Sequence, residues 1–263
     1  SGTTWRIYEG HTAPLLRGFL APLTIAGANA TRVYNGSADG PINIADPKIL
    51  GTVSTPSKNV GVYDFSIDGL YSTQFGYDLS EGEGTLTITP FPVSLSGSRT
   101  YDGSNIAAAA NLSIGPLLGT ETLTLSGAGN VADKNVGAAK PISALGTLAL
   151  SDGGNGGMAS NYSLTGGTLG ITPASLTLSV GAVTKTYDGT TSAAAAAVVS
   201  AGALFGSDSV GGGNFAFSNK NAGNGNKTVT GSSVSVSDGN GGANYLVTVV
   251  PNTTSTITPA PLT

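Results

Sequence analysis

Residues 84–90 read Gly-Thr-Leu-Thr-Ile-Thr-Pro, a stretch in which apolar and hydroxyl side chains alternate until a proline ends it. Successive side chains of a β-strand point to opposite faces, so this alternation predicts a strand with one buried and one solvated face. The same alternation recurs at residues 121–126, 175–180 and 233–237. Clusters rich in glycine, aspartate and asparagine, at residues 152–157 and 238–242, supply turns between strands. The sequence therefore predicts an all-β chain built of small sandwiches of two sheets.

Four sequence marks occur three times in a fixed order, and such internal repetition defines related modules. Each copy has an Arg or Lys two residues before a Tyr-Asp-Gly or Tyr-Asn-Gly turn, then Lys-Asn-x-Gly, a segment around one tyrosine, and Ile-Thr-Pro. The turn tyrosines are Tyr34, Tyr101 and Tyr187, the lysines are Lys58, Lys134 and Lys220, and the later tyrosines are Tyr77, Tyr162 and Tyr245. The first copy has the shortest interval between its turn tyrosine and its lysine. We therefore interpret the second and third copies as closely related to each other and the first as a more distant relative of both.

These marks set the expected boundaries. We predict that residues 1–21 are the end of a preceding stalk or cap segment. Three tandem Ig-like β-sandwich repeats are expected at residues 22–91, 92–174 and 175–259. Residues 260–263 are predicted to start a following module or linker. The last assignment follows because Ala-Pro-Leu-Thr at residues 21–24 returns at residues 260–263. The connections are short and contain proline, which fixes φ, so we expect an extended rod. We also expect each repeat to fold around its own core, with small contacts to its neighbours.

The composition of the 263 residues excludes several classes of protein. With no cysteine and a single histidine, His11, the chain can form no disulfide framework, thiolate nucleophile, Cys-rich zinc site or histidine cluster. The net charge of −4, with Lys and Arg placed singly, argues against nucleic acid and anionic membranes as partners. No apolar run approaches the roughly 18 residues that a membrane span needs. Ser1 begins no signal peptide, so we interpret the chain as a fragment of a longer protein.

The second and third copies resemble the YDG-type modules of very large, filamentous-haemagglutinin-like bacterial exoproteins. Arg-Thr-Tyr-Asp-Gly at residues 99–103, Lys-Asn-Val-Gly at 134–137 and Asn-Tyr-Ser-Leu at 161–164 carry this resemblance, with their counterparts in the third copy. Val-Gly-Val-Tyr at residues 60–63, Asp-Gly-Leu at 68–70 and Gly-Thr-Leu-Thr-Ile-Thr-Pro at 84–90 make the first copy similar to the related MBG module, which is mostly β and rich in glycine. It departs from the Tyr-Asp-Gly pattern at Asn35. Residues 4–17 are similar to the sequence that often closes the repetitive stalk before such modules.

The resemblance implies a secreted adhesin that reaches the bacterial cell surface by two-partner secretion. It implies an outer-membrane secretion partner for the full-length protein. It also implies attachment to a host-cell, matrix or biofilm surface component, either protein or glycan. Within such a protein we expect these repeats to act as a non-catalytic spacer without a cofactor, because no catalytic constellation repeats with them.

The repeated turn residues are interpreted as structural. They are Tyr34, Tyr101, Asp102, Gly103, Tyr187, Asp188 and Gly189. We expect the tyrosine rings to be core, the aspartates to cap their own turns, and the glycines to take the left-handed conformation. His11 lies outside the repeats and no second member of a catalytic triad is marked by spacing, so no catalytic residue is assigned.

The sequence leaves three alternative kinds of site open. The loops around Asp152 and Asp238 imitate calcium loops, but each offers one carboxylate where calcium takes six to eight oxygens. A covalent cross-link from the repeated lysines to an Asn or Asp would need a buried, neutral amine. A carbohydrate site in the aromatic-rich first copy would use Tyr63, Tyr71 and Tyr77, although Tyr63 and Phe65 are expected to share a core-facing strand face.

Overall fold

The computed structural model describes residues 4–26, 29–40, 44–64 and 66–262. These residues form 24 β-strands and three short 3-10 helices, at Arg17–Phe19, Ala109–Asn111 and Ala159–Asn161. The prediction of an all-β chain is therefore confirmed. Within the described ranges no helix is long and apolar enough to cross a membrane.

The strands are numbered along the chain. The first nine are β1 Trp5–Arg6, β2 Leu15–Leu16, β3 Ala21–Ile25, β4 Ala30–Val33, β5 Ile49–Gly51, β6 Gly61–Asp64, β7 Leu70–Ser72, β8 Tyr77–Glu81 and β9 Thr85–Thr89. The next eight are β10 Phe91–Thr100, β11 Ile106–Ala108, β12 Leu112–Ile114, β13 Leu123–Ser126, β14 Ala128–Val131, β15 Gly137–Ala144, β16 Ala149–Asp152 and β17 Tyr162–Thr172. The last seven are β18 Ala174–Val180, β19 Thr184–Thr186, β20 Ala197–Ala201, β21 Ser209–Phe217, β22 Gly223–Ser237, β23 Tyr245–Val250 and β24 Asn252–Thr258.

Strands near the start and the end of a repeat pair in parallel. β3 pairs with β8 and β4 with β9 in the first repeat, and β18 pairs with β23 and β19 with β24 in the third. This pairing brings each turn tyrosine to the Ile-Thr-Pro mark. The backbone N–H groups of Tyr34, Tyr101 and Tyr187 donate to the carbonyls of Thr89, Thr172 and Thr258, each at 2.8 Å. The tyrosine turn and the Ile-Thr-Pro mark of each repeat are therefore hydrogen-bonded neighbours in the fold.

The chain divides into two compact units, and neither coincides with a repeat. The first unit comprises residues 1–95, 114–126 and 149–165, and the second comprises residues 96–113, 127–148 and 166–263. One part of the second repeat thus packs with the first repeat, and the other part packs with the third. The expectation that each repeat folds around its own core is wrong, because neighbouring repeats contribute to a common core.

The shared core of the first unit shows this directly. Tyr34, Leu86 and Ile88 of the first repeat cluster with Val93 and Tyr162 of the second, and each is at most 5% exposed. A separate cluster in the same unit joins residues 1–21 to the first repeat. It contains Tyr8, Leu15, Leu20, Ile25, Ile49, Val53, Ile67, Leu70 and Leu79.

In the second unit the third repeat supplies a three-stranded sheet in the order β20-β18-β23 and a four-stranded sheet in the order β19-β24-β22-β21. Strand β18 shows the predicted alternation: Leu176, Leu178 and Val180 are buried, and Thr177 and Ser179 between them are more exposed. Val180 also belongs to a core cluster with Phe217 and Ile257. The alternation of apolar and hydroxyl residues thus selects the buried face of the strand.

Candidate functional site

The turn after each repeated tyrosine is built by its own side chains. Asp102 Oδ1 accepts the backbone N–H of Ser104 at 2.9 Å, and Asp188 and Asn35 accept the N–H two positions on in the same way. The cation before the tyrosine also binds this side chain, as Lys185 Nζ does at 2.9 Å from Asp188 Oδ1. The glycines Gly36, Gly103 and Gly189 have φ of 77°, 78° and 79°. The aspartate or asparagine and the glycine therefore shape the turn. The tyrosine hydroxyl takes no part in the turn and is free to contact other residues.

In the second unit the hydroxyl of Tyr101 meets a carboxylate of the third repeat. It donates to Asp208 Oδ2 at 2.8 Å, and the hydroxyl of Tyr245 donates to the same oxygen at 2.8 Å. Lys134 Nζ lies 3.1 Å from Asp208 Oδ1. The Asp208 side chain is only 2% exposed, so protein donors replace water around its charge. Hydrogen bonds to a charged group of this kind are stronger than neutral ones.

The first unit repeats this arrangement with a glutamate. Tyr34 donates to Glu121 Oε1 at 2.6 Å, and Tyr162 donates to Glu121 Oε2 at 2.7 Å. Lys58 Nζ lies 3.4 Å from Glu121 Oε1. In both units the turn tyrosine and the lysine come from one repeat, and the acid and the second tyrosine come from the next. We call each set of four residues a tyrosine–carboxylate network.

A buried asparagine accompanies each network. The backbone N–H of Val136 donates to Asn244 Oδ1 at 2.9 Å, and Asn244 Nδ2 donates to Asn135 Oδ1 at 3.1 Å. Asn161 makes the same two bonds in the first unit, at 2.9 and 3.0 Å. Asn161 and Asn244 are fully buried. The Lys-Asn and Asn-Tyr marks thus bind one another across successive repeats.

The pKa shifts show which protonation states the networks favour. Burial acts to raise the pKa of Asp208, but the bonds from Tyr245, Tyr101 and Lys134 outweigh it and the pKa is lowered. The pKa of Glu121 is lowered through the same balance. Burial, and then the Glu121 carboxylate, raise the pKa of Tyr34 and of Tyr162 to about 12. At neutral pH each network therefore holds an ionised carboxylate between neutral phenols and a lysine ammonium.

These protonation states disfavour two kinds of chemistry. A carboxylate with a lowered pKa and its oxygens engaged by donors is a poor general base. The cross-link from a lysine is not favoured either, because Tyr101 and Asp208 raise the pKa of Lys134 while the pKa of Asp208 falls. Amide formation needs the reverse, a neutral amine beside a protonated acid.

The loops proposed for calcium serve other contacts. Asp238 is 2% exposed, and its carboxylate accepts the backbone N–H groups of Asn240, Gly242 and Asn244 at 2.7 to 2.9 Å. It therefore positions Asn244 for the second-unit network. Asp152 accepts the N–H of Ala159 at 2.7 Å. No group of three or more His, Asp or Glu side chains in the described part of the chain is arranged to hold a metal.

The tyrosines considered for carbohydrate are not gathered on one surface. Tyr63 packs against the cluster around Tyr34, whereas Tyr71 and Tyr77 pack against the other cluster of the first unit. Tyr71 stacks on His11 with ring centroids 4.5 Å apart, and Tyr77 donates to Asp46 at 2.8 Å. All three tyrosines are half-buried. Phe65, their proposed neighbour, lies outside the described residues.

Tyr187 corrects one sequence expectation. The sequence predicts that its ring is core, yet the ring is 39% exposed, against 1% for both Tyr34 and Tyr101. Its own turn is intact, so the turn does not bury the ring. The carboxylate and second tyrosine of a following repeat bury Tyr34 and Tyr101, and no described residue takes that place beside Tyr187.

Sequence reasoning missed both acids, although a signal for them exists. Leu-Gly-Thr-Glu at residues 118–121 and Phe-Gly-Ser-Asp at residues 205–208 share the order apolar, glycine, hydroxyl and acid. Arg-Ile-Tyr-Glu-Gly at residues 6–10 was also missed as a further turn motif. Its Gly10 has φ of 75°, and the buried Tyr8 donates to the Tyr77 carbonyl at 2.6 Å.

Comparison with known families agrees with these motifs. The family model of the YDG domain matches residues 84–169 and 172–256, which together make up more than half of the chain. The chain belongs to the YDG domain family, in two copies, and the resemblance of the second and third copies is confirmed. No curated protein and no solved structure matches the chain.

Proposed function

We propose that this chain is a non-catalytic spacer of a large secreted bacterial adhesin, which presents a binding region for attachment to cells, matrix or biofilm. The repeated network supports this proposal most directly. Both networks use the same kinds of residues, and in both these residues join one repeat to the next. A segment under selection for linkage rather than for chemistry would show this pattern.

The contacts suit a segment that resists being pulled apart. Each network combines a buried carboxylate, two phenols and an ammonium, and hydrogen bonds to charged groups contribute about 1.5–3 kcal/mol each. The core around Tyr34 and Tyr162 is shared as well, so separating two repeats would expose apolar side chains to water. Linkage at each junction would transmit force along successive repeats.

We also propose the finer features that the resemblance implies. These are an MBG-type first repeat, Ig-like sandwiches in an extended rod, two-partner secretion and a place on the bacterial cell surface. The rod is supported by Pro90 and Pro173, each of which directly follows the last strand of one repeat. A compact chain of this length would have a radius of gyration of about 18 Å. Small-angle scattering of the rod should give a clearly larger value, and a value near that of a compact chain would contradict it.

Binding experiments test the spacer role. We expect the full chain to show no dose-dependent, competable binding to a glycan array, to cultured cells or to immobilised matrix proteins. Competable glycan binding would contradict the pure spacer and favour a carbohydrate-binding module. A matched Tyr71→Ala variant would then show whether the aromatic-rich first repeat carries that binding.

A further inference from the structure

The third repeat carries one half of a network without its other half. Tyr187, Lys220, Asn221 and Ala222 occupy the positions that Tyr101, Lys134, Asn135 and Val136 hold in the second repeat. In the second repeat these positions contact Asp208, Asn244 and Tyr245. In the third repeat all four positions are exposed.

The turn at Tyr187 has the same backbone geometry as the turns at Tyr34 and Tyr101, which are engaged in networks. The Tyr187 N–H is bonded to the Thr258 carbonyl at 2.8 Å, as in the other two repeats, and Gly189 has the same left-handed φ. Within the described residues Lys220 forms no ion pair, and the N–H of Ala222 has no acceptor. A partner would therefore need no rearrangement of this turn.

The chemistry of the surface specifies its partner. An exposed phenol and an ammonium together fit a carboxylate, and the Ala222 N–H together with the Asn221 side chain fits a carboxamide. Gly189 also leaves room for an aromatic ring. A Cβ atom at Gly103 would lie 2.8 Å from the Cβ of Phe205, whereas a Cβ atom at Gly189 would meet nothing within 4 Å.

We propose that Tyr187, Lys220, Asn221 and Ala222 form a docking surface for a further YDG-type repeat. That repeat places the acid of its apolar-Gly-hydroxyl-acid turn between Tyr187 and Lys220. Its Asn-Tyr pair binds Asn221, the Ala222 N–H and the Tyr187 ring.

The first repeat of a second copy of this chain fits the surface poorly. It has Gly76 where the other repeats have Asn161 and Asn244, so it lacks the carboxamide. Its Tyr77 is also already contacted by Tyr8 from residues 1–21. The acids of the second and third repeats, Glu121 and Asp208, are already bound by tyrosines within the chain. The partner must instead offer an acid that no other network binds. A separate YDG-type repeat meets that condition.

The test is a full chain extended by one more repeat. Residues 260–263 correspond to residues 174–177, so a second copy of residues 178–259 is joined directly after Thr263. Hydrogen exchange at the Ala222 amide is compared between the original and the extended chain, with the Val136 amide as the protected reference. We expect extension to slow exchange at Ala222 by about 100-fold or more, because the amide becomes bonded and buried.

A matched extended chain carries Asp208→Asn and Asn244→Ala in the added copy alone, and we expect it to lose most of that protection. A second extended chain, which carries residues 95–173 instead, should protect Ala222 through its copy of Glu121 and Asn161. Unchanged exchange at Ala222 beside a protected added repeat would overturn the proposal. The proposal would also be overturned if the added repeat stays unprotected both in the chain extended by residues 178–259 and in the chain extended by residues 95–173, because the surface should stabilise the fold of its partner. Slowing of exchange in the original chain as its concentration rises would instead assign the surface to a second copy.

Discussion

The hydroxyl of Tyr101 donates a 2.8 Å hydrogen bond to the carboxylate of Asp208, 107 positions further along the chain. Tyr34 and Glu121 are related in the same way, over 87 positions. In both pairs the tyrosine is held by its own turn but is buried by the repeat that follows. The structural unit is therefore offset from the sequence repeat, and the stability of one repeat depends on its neighbour.

Replacing Tyr101 should cost far more stability than replacing Tyr187. Tyr101→Ala removes a ring that is 1% exposed, together with a bond to a buried carboxylate, so we expect a loss of about 3 kcal/mol or more. Tyr187→Ala removes a ring that is 39% exposed and should cost about 1 kcal/mol or less. Urea unfolding of the two variants measures the difference. Equal losses would mean that the turn itself, rather than the following repeat, buries the tyrosine.

Two glycines with the same backbone conformation provide a steric test. Gly103→Ala and Gly189→Ala both place a side chain at positive φ, which costs about 1 kcal/mol or more in each case. Only the alanine at position 103 would clash, because its Cβ would lie 2.8 Å from the Cβ of Phe205. We expect Gly103→Ala to lose a further 1–3 kcal/mol or so, measured by thermal unfolding. If the two melting temperatures fall equally, Phe205 does not pack on this turn in solution.

The buried asparagine can be tested through the amide that it accepts. Asn244→Ala leaves the Val136 N–H without its acceptor, and an unsatisfied buried donor costs about 1–3 kcal/mol. Hydrogen exchange at Val136 should accelerate together with this loss of stability. Asn221→Ala is the control, since Asn221 is exposed, and it should change stability by about 0.5 kcal/mol or less. Unaltered exchange at Val136 in Asn244→Ala would contradict the contact.

Stability should fall at both ends of the pH range. The pKa of Tyr34, Tyr162 and Tyr245 is raised to about 12, so the folded state holds protons that the unfolded state loses above its ordinary pKa of 10.0. Stability should therefore decline as pH rises from 10 towards 12. The pKa of Asp208 is lowered from 3.8, so its contribution is present above that pH and is lost as pH falls through the lowered value.

Urea unfolding between pH 7 and pH 11 should follow this alkaline decline. Tyr162→Phe removes one of the three phenols and should make the decline less steep. A variant whose pH profile keeps the slope of the parent would contradict the role of that phenol.

The sequence predicts the local features well because they depend on neighbouring residues. Alternation in strand β18 and the turn at Tyr101 both follow from side chains within a few positions of one another. The partner of Tyr101 could not be predicted in this way, since Asp208 lies in another repeat and its type differs from Glu121 in the first unit. Tyr187 makes the limit plain. Its motif matches that of Tyr101 in Tyr-Asp-Gly, yet its exposure differs because the following contacts differ.

The coupling between Tyr101 and Asp208 tests the linkage of successive repeats most directly. In a double-mutant cycle, Tyr101→Phe and Asp208→Asn are measured singly and together by urea unfolding, with Tyr187→Phe and Asp208→Asn as the control pair. Residues that share a hydrogen bond give non-additive losses, so we predict a coupling free energy of about 1 kcal/mol or more for Tyr101 and additivity for Tyr187. Additive losses for Tyr101 and Asp208 would contradict the account, because each repeat would then be stable without the next.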